Sequence, residues 1–107
     1  MYGTRHVSLI FVNRLWAQYN PEQAECFVTA TSKAIDWIEE NQDSARQIVS
    51  KYTGIPAASV RDYHFTPHGQ VRIQDVQVWL DYLIERGDVA DWVDVDMVAS
   101  DEYNKNQ

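Results

Sequence analysis

Two histidines four positions apart are the first residues in this sequence whose type and spacing could do chemistry. His64 and His68 have the spacing of two zinc ligands on successive turns of a helix. Pro67 and Gly69 interrupt any helix there, and no glutamate follows the first histidine as in the zinc-protease pattern. The sequence therefore favours two loop histidines, at least one of them solvated, over a metal centre.

The single cysteine is the second candidate. Cys26 could form a thiolate-imidazole pair with His6, His64 or His68, because such pairs are spatial and need not be adjacent in sequence. Only the residue types support this pair, and a cysteine within a helix is usually a small, partly buried apolar residue. One cysteine forms no internal disulfide, so the redox compartment stays open.

The tail and the tryptophans complete the candidates. A calcium site would need ligands at alternate positions, a central glycine and a terminal glutamate. The acidic tail lacks that pattern, which favours a solvated acidic face with Asp94 as a possible helix cap. The tail acids are Asp88, Asp91, Asp94, Asp96, Asp101 and Glu102. Four tryptophans could stack on a ring or a sugar, but they more often cover a core or form a contact surface. They are Trp16, Trp37, Trp79 and Trp92.

No glycine-rich phosphate loop, nucleophile elbow or paired-carboxylate motif is visible. We therefore predict a non-enzymatic protein with no catalytic, cofactor-binding or metal-binding residues, and its ligand-binding residues are not identifiable from the sequence. The 107 residues, 45 % apolar and 23 % charged, predict one folded domain over residues 1–107. The net charge of -7 and singly scattered cations argue against nucleic acid and against an anionic membrane surface.

The elements that must position these residues begin with a predicted strand. His6–Val12 (HVSLIFV) is rich in Val, Ile and Phe and too short for a core helix. A lone strand leaves backbone groups unpaired. It must therefore pair with a hairpin made by residues 64–73, with a second copy, or with a sheet outside this chain. Its apolar run is too short for a signal peptide or a membrane span.

Helices are predicted for most of the rest. Asn20-Pro21 begins a helix that ends near Glu40, with Phe27, Val28, Thr31, Ala34, Ile35 and Ile38 on one face. Asn41 or Asp43 caps a second helix that ends at Gly54. Pro56 begins a short third helix, through about Asp62. A fourth begins at about Gln74 and ends just before Gly87, with Val76, Trp79, Leu80, Leu83 and Ile84 on one side, and a short turn begins at Asp94.

The stretch AQYNPEQAECFVTATSKAIDWIEENQDSARQIVSKYTGIPAASV, continued by VRIQDVQVWLDYLIERGDV and WVDVDMV, resembles the C-terminal part of the substrate-binding proteins of ABC importers. The resemblance is to the nitrate, sulfonate and taurine group and the related pyrimidine-precursor binders, and it covers roughly residues 7–103. It implies part of a two-lobed α/β fold of the periplasmic-binding type 2 class, with the ligand in a cleft between lobes. The segments that carry most ligand contacts in that family are not in this chain.

The sequence thus predicts an α+β, mainly helical fold with four to five helices, one N-terminal strand and a possible small hairpin. Its first predicted function is the C-terminal portion of a solute-binding component of an ABC importer for a small anion, unable to bind ligand alone. The partners would be the missing lobe and an ABC permease. The alternative is a stand-alone interaction module that self-associates through its N-terminal strand. The chain would be periplasmic as a fragment of an exported protein and cytoplasmic as it stands, since it has no signal peptide.

Overall fold

The computed structural model describes residues 9–106, and this part of the chain is all-α. It is 61 % helical and contains no strand. Four α-helices and three short 3-10 turns follow one another. The α-helices are α1 (Arg14–Tyr19), α2 (Pro21–Glu40), α3 (Gln42–Thr53) and α4 (Ile73–Glu85), and the 3-10 turns are Ala57–Ser59, Pro67–Gly69 and Val95–Met97. The predicted α+β class is therefore wrong.

The predicted N-terminal strand is the main error. Residues 6–8 lie outside the described range, and residues 9–12 have no regular secondary structure and are exposed. A strand needs a neighbouring strand to accept its backbone hydrogen bonds, and residues 9–106 provide none. Without such a partner, the apolar and β-branched residues of this stretch do not form a strand.

The possible hairpin over residues 64–73 is also absent, although the turn at its centre has the geometry of a hairpin turn. His68 and Gly69 both have positive φ angles, 57° and 63°. The Gln70 N–H donates to Pro67 O at 3.1 Å, which completes a type I′-like turn. The flanking residues do not pair with each other as strands, because the carboxylates of α2 and the C-terminal tail take their backbone donors instead.

The predicted helix boundaries hold well for the longer helices. Pro21 is the first residue of α2, which ends at Glu40, and Gly54 ends α3 with a left-handed φ of 77°. The Asn20 and Asn41 side chains make no N-cap bond to the helices they precede. Each side-chain amide instead donates to a carbonyl of the preceding helix. The predicted third helix from Pro56 is only the 3-10 turn Ala57–Ser59.

One helix was not predicted. α1 begins after Asn13, whose side-chain oxygen accepts from the Trp16 N–H at 3.0 Å, the usual N-cap contact. The local signal was Asn13 before RLWAQY, and the apolar run LIFV just before it favoured a strand instead. Ala17 is the buried residue of α1, whereas Leu15 and Tyr19 are exposed to 62 % and 83 %.

The hydrophobic core lies around α4. Val76, Leu80 and Val95 are buried together, with Val71, Ile73, Ile84, Val89, Val93 and Ala99 partly buried around them. No large side chain among the described residues is fully buried. The radius of gyration is 16.3 Å, against about 13 Å for a compact domain of this length. The described chain is therefore elongated, and much of its apolar surface is not covered by its own residues.

Candidate functional site

One face of helix α2 is covered by other parts of the chain, and the side chains at the centre of that face are polar. Ser32 and Asp36 are one helical turn apart, and Glu39 follows on the next turn, so all three lie on the same side. Ser32 is only 2 % exposed. These side chains face the turn at Pro67–Gly69, more than 25 residues further along the chain.

The turn is held mainly through the backbone of His68. The His68 N–H donates to Asp36 Oδ1 at 2.9 Å, and Ser32 Oγ donates to His68 O at 2.5 Å. The His68 ring also contacts this carboxylate, with Nδ1 at 2.7 Å from Asp36 Oδ2. Because an ionised carboxylate only accepts hydrogen bonds, Nδ1 carries the proton. With the positive φ of His68, both its N–H and its ring contact the Asp36 carboxylate.

The C-terminal tail closes the same cluster. Asn104 Nδ2 donates to His68 O at 3.0 Å, and Asn104 is 5 % exposed. Asn106 Nδ2 lies 2.8 Å from Asp36 Oδ2 and 3.0 Å from Ser32 Oγ. We call Ser32, Asp36, His68, Asn104 and Asn106 the polar junction. It joins α2, the turn and the tail.

Two carboxylates of α2 have lowered pKa values. The hydrogen bond from the His68 side chain is the largest cause of the lowered pKa of Asp36, with Asn106 and the His68 N–H adding to it against desolvation. The Phe65 N–H, 2.6 Å from Glu39 Oε1, is the largest cause of the lowered pKa of Glu39. The His64 ring adds to it through Nδ1, 3.2 Å from Glu39 Oε2. Both carboxylates are ionised when they hold the loop.

Lowered pKa values predict that the contacts of Asp36 and Glu39 with the loop are sensitive to acid. The stabilisation from Asp36 and Glu39 is fully present above their unfolded-state pKa values, about 3.9 and 4.3. It is lost as the pH falls through the lower folded-state values. We expect the melting temperature, followed by circular dichroism, to fall as the pH drops below about 4.

The Asp36→Asn/Glu39→Gln variant should be less stable at pH 7 and lose less on acidification. Glu40→Gln removes an exposed carboxylate next to Glu39 and is the matched control. A double variant with the wild-type pH dependence would show that these two contacts do not hold the loop.

The structure separates the residues proposed for metal or nucleophilic chemistry. His64 and His68 pair with different carboxylates of α2, and residues 9–106 contain no group of three or more His, Cys, Asp or Glu placed to hold a metal ion. Cys26 is exposed on α2, while His6 lies outside the described residues. The Ser32 hydroxyl donates to the His68 carbonyl rather than to its ring, so it is not placed as a nucleophile for that imidazole.

The tail acids have structural contacts. Both Asp101 carboxylate oxygens accept from the Val71 N–H, at 3.0 and 3.1 Å, and Asp88 lies 3.3 Å from Arg86. Asp94 occupies the position before the 3-10 turn Val95–Met97, as predicted, but its side chain makes no cap bond. The Asp101 contact binds the tail to Val71 beside the α4 core, whereas the Asp88 pair is local.

Two open depressions lie near the C-terminal end of α2, and half of the residues that line each one are carboxylates. The first, ≈430 Å³, is lined by Glu39, Glu40, Asn41, Gln42, Asp43, Ser44, Arg46 and Asp62. Its one cation, Arg46, is paired with Asp43 and Asp62. The second, ≈350 Å³, is lined by Asp36, Glu39, Glu40, Phe65, Pro67 and His68. Neither presents the free positive charge that would hold an anion.

Sequence reasoning missed the polar junction. Its residues are ordinary polar residues in sequence, and only the fold brings them together across more than 30 positions. Pro67-His68-Gly69 was the available signal, since consecutive positive φ values require glycine or a tolerant residue. The polar junction has a structural role, because its hydrogen bonds hold the loop and the tail against α2.

Over residues 9–106 the chain is all-α, with the polar junction between α2, the turn and the tail and with extensive exposed apolar surface. Comparison with family models, curated proteins and solved structures finds no match to this chain. Among the described helices, none has both the length and the apolar composition needed to cross a membrane.

Proposed function

We propose that this chain is the C-terminal portion of a solute-binding component of an ABC importer for a small anion such as nitrate, a sulfonate or taurine. It catalyses no reaction, and alone it does not hold the solute. The observation that carries the proposal is the uncovered apolar segment from Leu9 to Tyr19. Seven of its eleven residues are large, apolar and exposed, among them Ile10 at 70 % and Phe11 at 93 %.

Such a segment requires a covering surface. Burial of apolar area contributes about 25 cal/mol per Å², and contiguous apolar patches of this kind mark interfaces. In the proposed protein, the remaining part of the two-lobed fold covers this segment.

The negative charge of the two surface depressions supports the proposal that this chain alone does not hold the solute. A small-anion site needs convergent donors or cations in a cleft that buries most of the ligand. Both depressions described above are open and rich in carboxylates, which repel anions. The anion-binding groups must therefore come from the other part of the protein.

The test has two arms. Isothermal titration calorimetry of this chain with nitrate, taurine, an alkyl sulfonate and a pyrimidine should give no binding. Sequencing upstream of the coding region should reveal the remaining lobe, and the complete protein should bind one of these solutes with micromolar affinity. Micromolar binding by this chain alone, or a complete protein that binds none of the set, would contradict the proposal.

A further inference from the structure

The face of α2 opposite the polar junction carries a stripe of uncovered apolar residues. Phe27, Ala30, Ala34 and Trp37 are all exposed, Phe27 to 59 % and Trp37 to 41 %. Their spacings of three, four and three residues are those of the a and d positions of a helix-pairing seam. We call these residues the α2 stripe. The sequence prediction assigned Phe27 and Ala34 to the core face, and the structure exposes both.

The α2 stripe is symmetric about its own centre. A large aromatic residue lies at each end and two alanines lie between them, with polar Gln23 and Asn41 four residues beyond the ends. A two-fold axis between Ala30 and Ala34 therefore places each aromatic residue opposite the other type on a second copy. Such self-complementarity is what a symmetric, isologous interface requires.

We propose that two free copies of this chain pair antiparallel through the α2 stripe. Phe27 packs against Trp37 of the second copy at each end, and the alanines allow the helix axes to approach closely at the centre. Antiparallel packing also opposes the two helix dipoles favourably. This pairing replaces the predicted association through an N-terminal strand, since residues 9–12 form none. It concerns the free chain and does not depend on the proposed transport function.

Sedimentation velocity at increasing concentration tests the association. We expect a dimer that Ala30→Glu/Ala34→Glu weakens on the order of a hundredfold, because like charges facing each other at an interface cost several kcal/mol. Ser44→Glu/Gln47→Glu adds the same charge to exposed positions of α3 and should leave the dimer intact. Because each copy carries a charge of -7, added salt should strengthen the dimer.

Cross-linking tests the direction. In the antiparallel register, Cys26 lies two positions, about 3 Å along the axis, from residue 40 of the second copy. The two Cys26 residues lie about 18 Å apart along the axis. A short bis-maleimide reagent should therefore link Glu40→Cys dimers, but neither the unaltered chain nor Cys26→Ser/Glu40→Cys.

The outcomes are decisive in both directions. A strict monomer at the highest attainable concentration overturns the pairing, as does a dimer that is insensitive to glutamate at positions 30 and 34. Efficient linking of the unaltered chain through Cys26 shows a parallel pair and overturns the register. Circular dichroism should show equal helix content in all variants, since every altered position is exposed.

Discussion

Leu80→Ala is expected to destabilise the chain by about 2–5 kcal/mol, the range for removing a buried leucine side chain. Leu80 is 5 % exposed and packs with Val76 and Val95 in the cluster around α4. The melting temperature should fall by at least about 8 °C, measured by circular dichroism.

Val78→Ala is the matched control, because Val78 lies on the same helix and is 42 % exposed. Its loss should cost well under about 1 kcal/mol. If the two variants melt at the same temperature, α4 does not supply the core of the folded chain. Val71 packs against this core and donates its N–H to the Asp101 carboxylate of the tail. Leu80→Ala should therefore also loosen the tail where it forms the polar junction.

The α4 core could be predicted from sequence because its signal is local and periodic. Val76 and Leu80 have the spacing of one helix face, and both are buried as predicted. Gly54 and Gly87 end their helices with positive φ angles, which glycine adopts without steric cost. Composition, by contrast, was a poor guide for LIFV. β-branched and aromatic residues favour strands only where a neighbouring strand and a covered face exist.

The contacts of the polar junction and the exposure of the α2 stripe could not be predicted from the sequence. Asp36 and Glu39 have the spacing of any solvated helix face, and no local pattern shows that a loop 26 to 32 residues later donates to them. Conversely, Phe27 and Ala34 fit an apolar stripe, but their own chain leaves them uncovered. Periodicity identifies which residues share a face and does not identify what covers it. The resemblance to ABC-importer binding proteins likewise stays a prediction.

Gly69→Ala is expected to be the most damaging substitution in the loop, because Gly69 has a φ of 63° and lies against α2. A β-carbon there would lie 2.6 Å from Ile35 Cδ1. Left-handed backbone costs a non-glycine residue about 1–2 kcal/mol, and moving the Ile35 side chain off its rotamer adds about 0.5–1.5 kcal/mol. We therefore expect a loss of about 2–3 kcal/mol in urea unfolding.

Two comparisons separate these costs. Gly87→Ala has the backbone strain without the contact, since its φ is 80° and nothing lies within 4 Å of the added carbon. Ile35→Val removes Cδ1, so the double variant Gly69→Ala/Ile35→Val should recover the part that the contact costs. If Gly69→Ala and Gly87→Ala are equally destabilised, the turn does not pack closely enough against α2 for the added β-carbon to clash with Ile35. His68 would then be positioned by its hydrogen bonds to Ser32 and Asp36 and not by close packing of the turn.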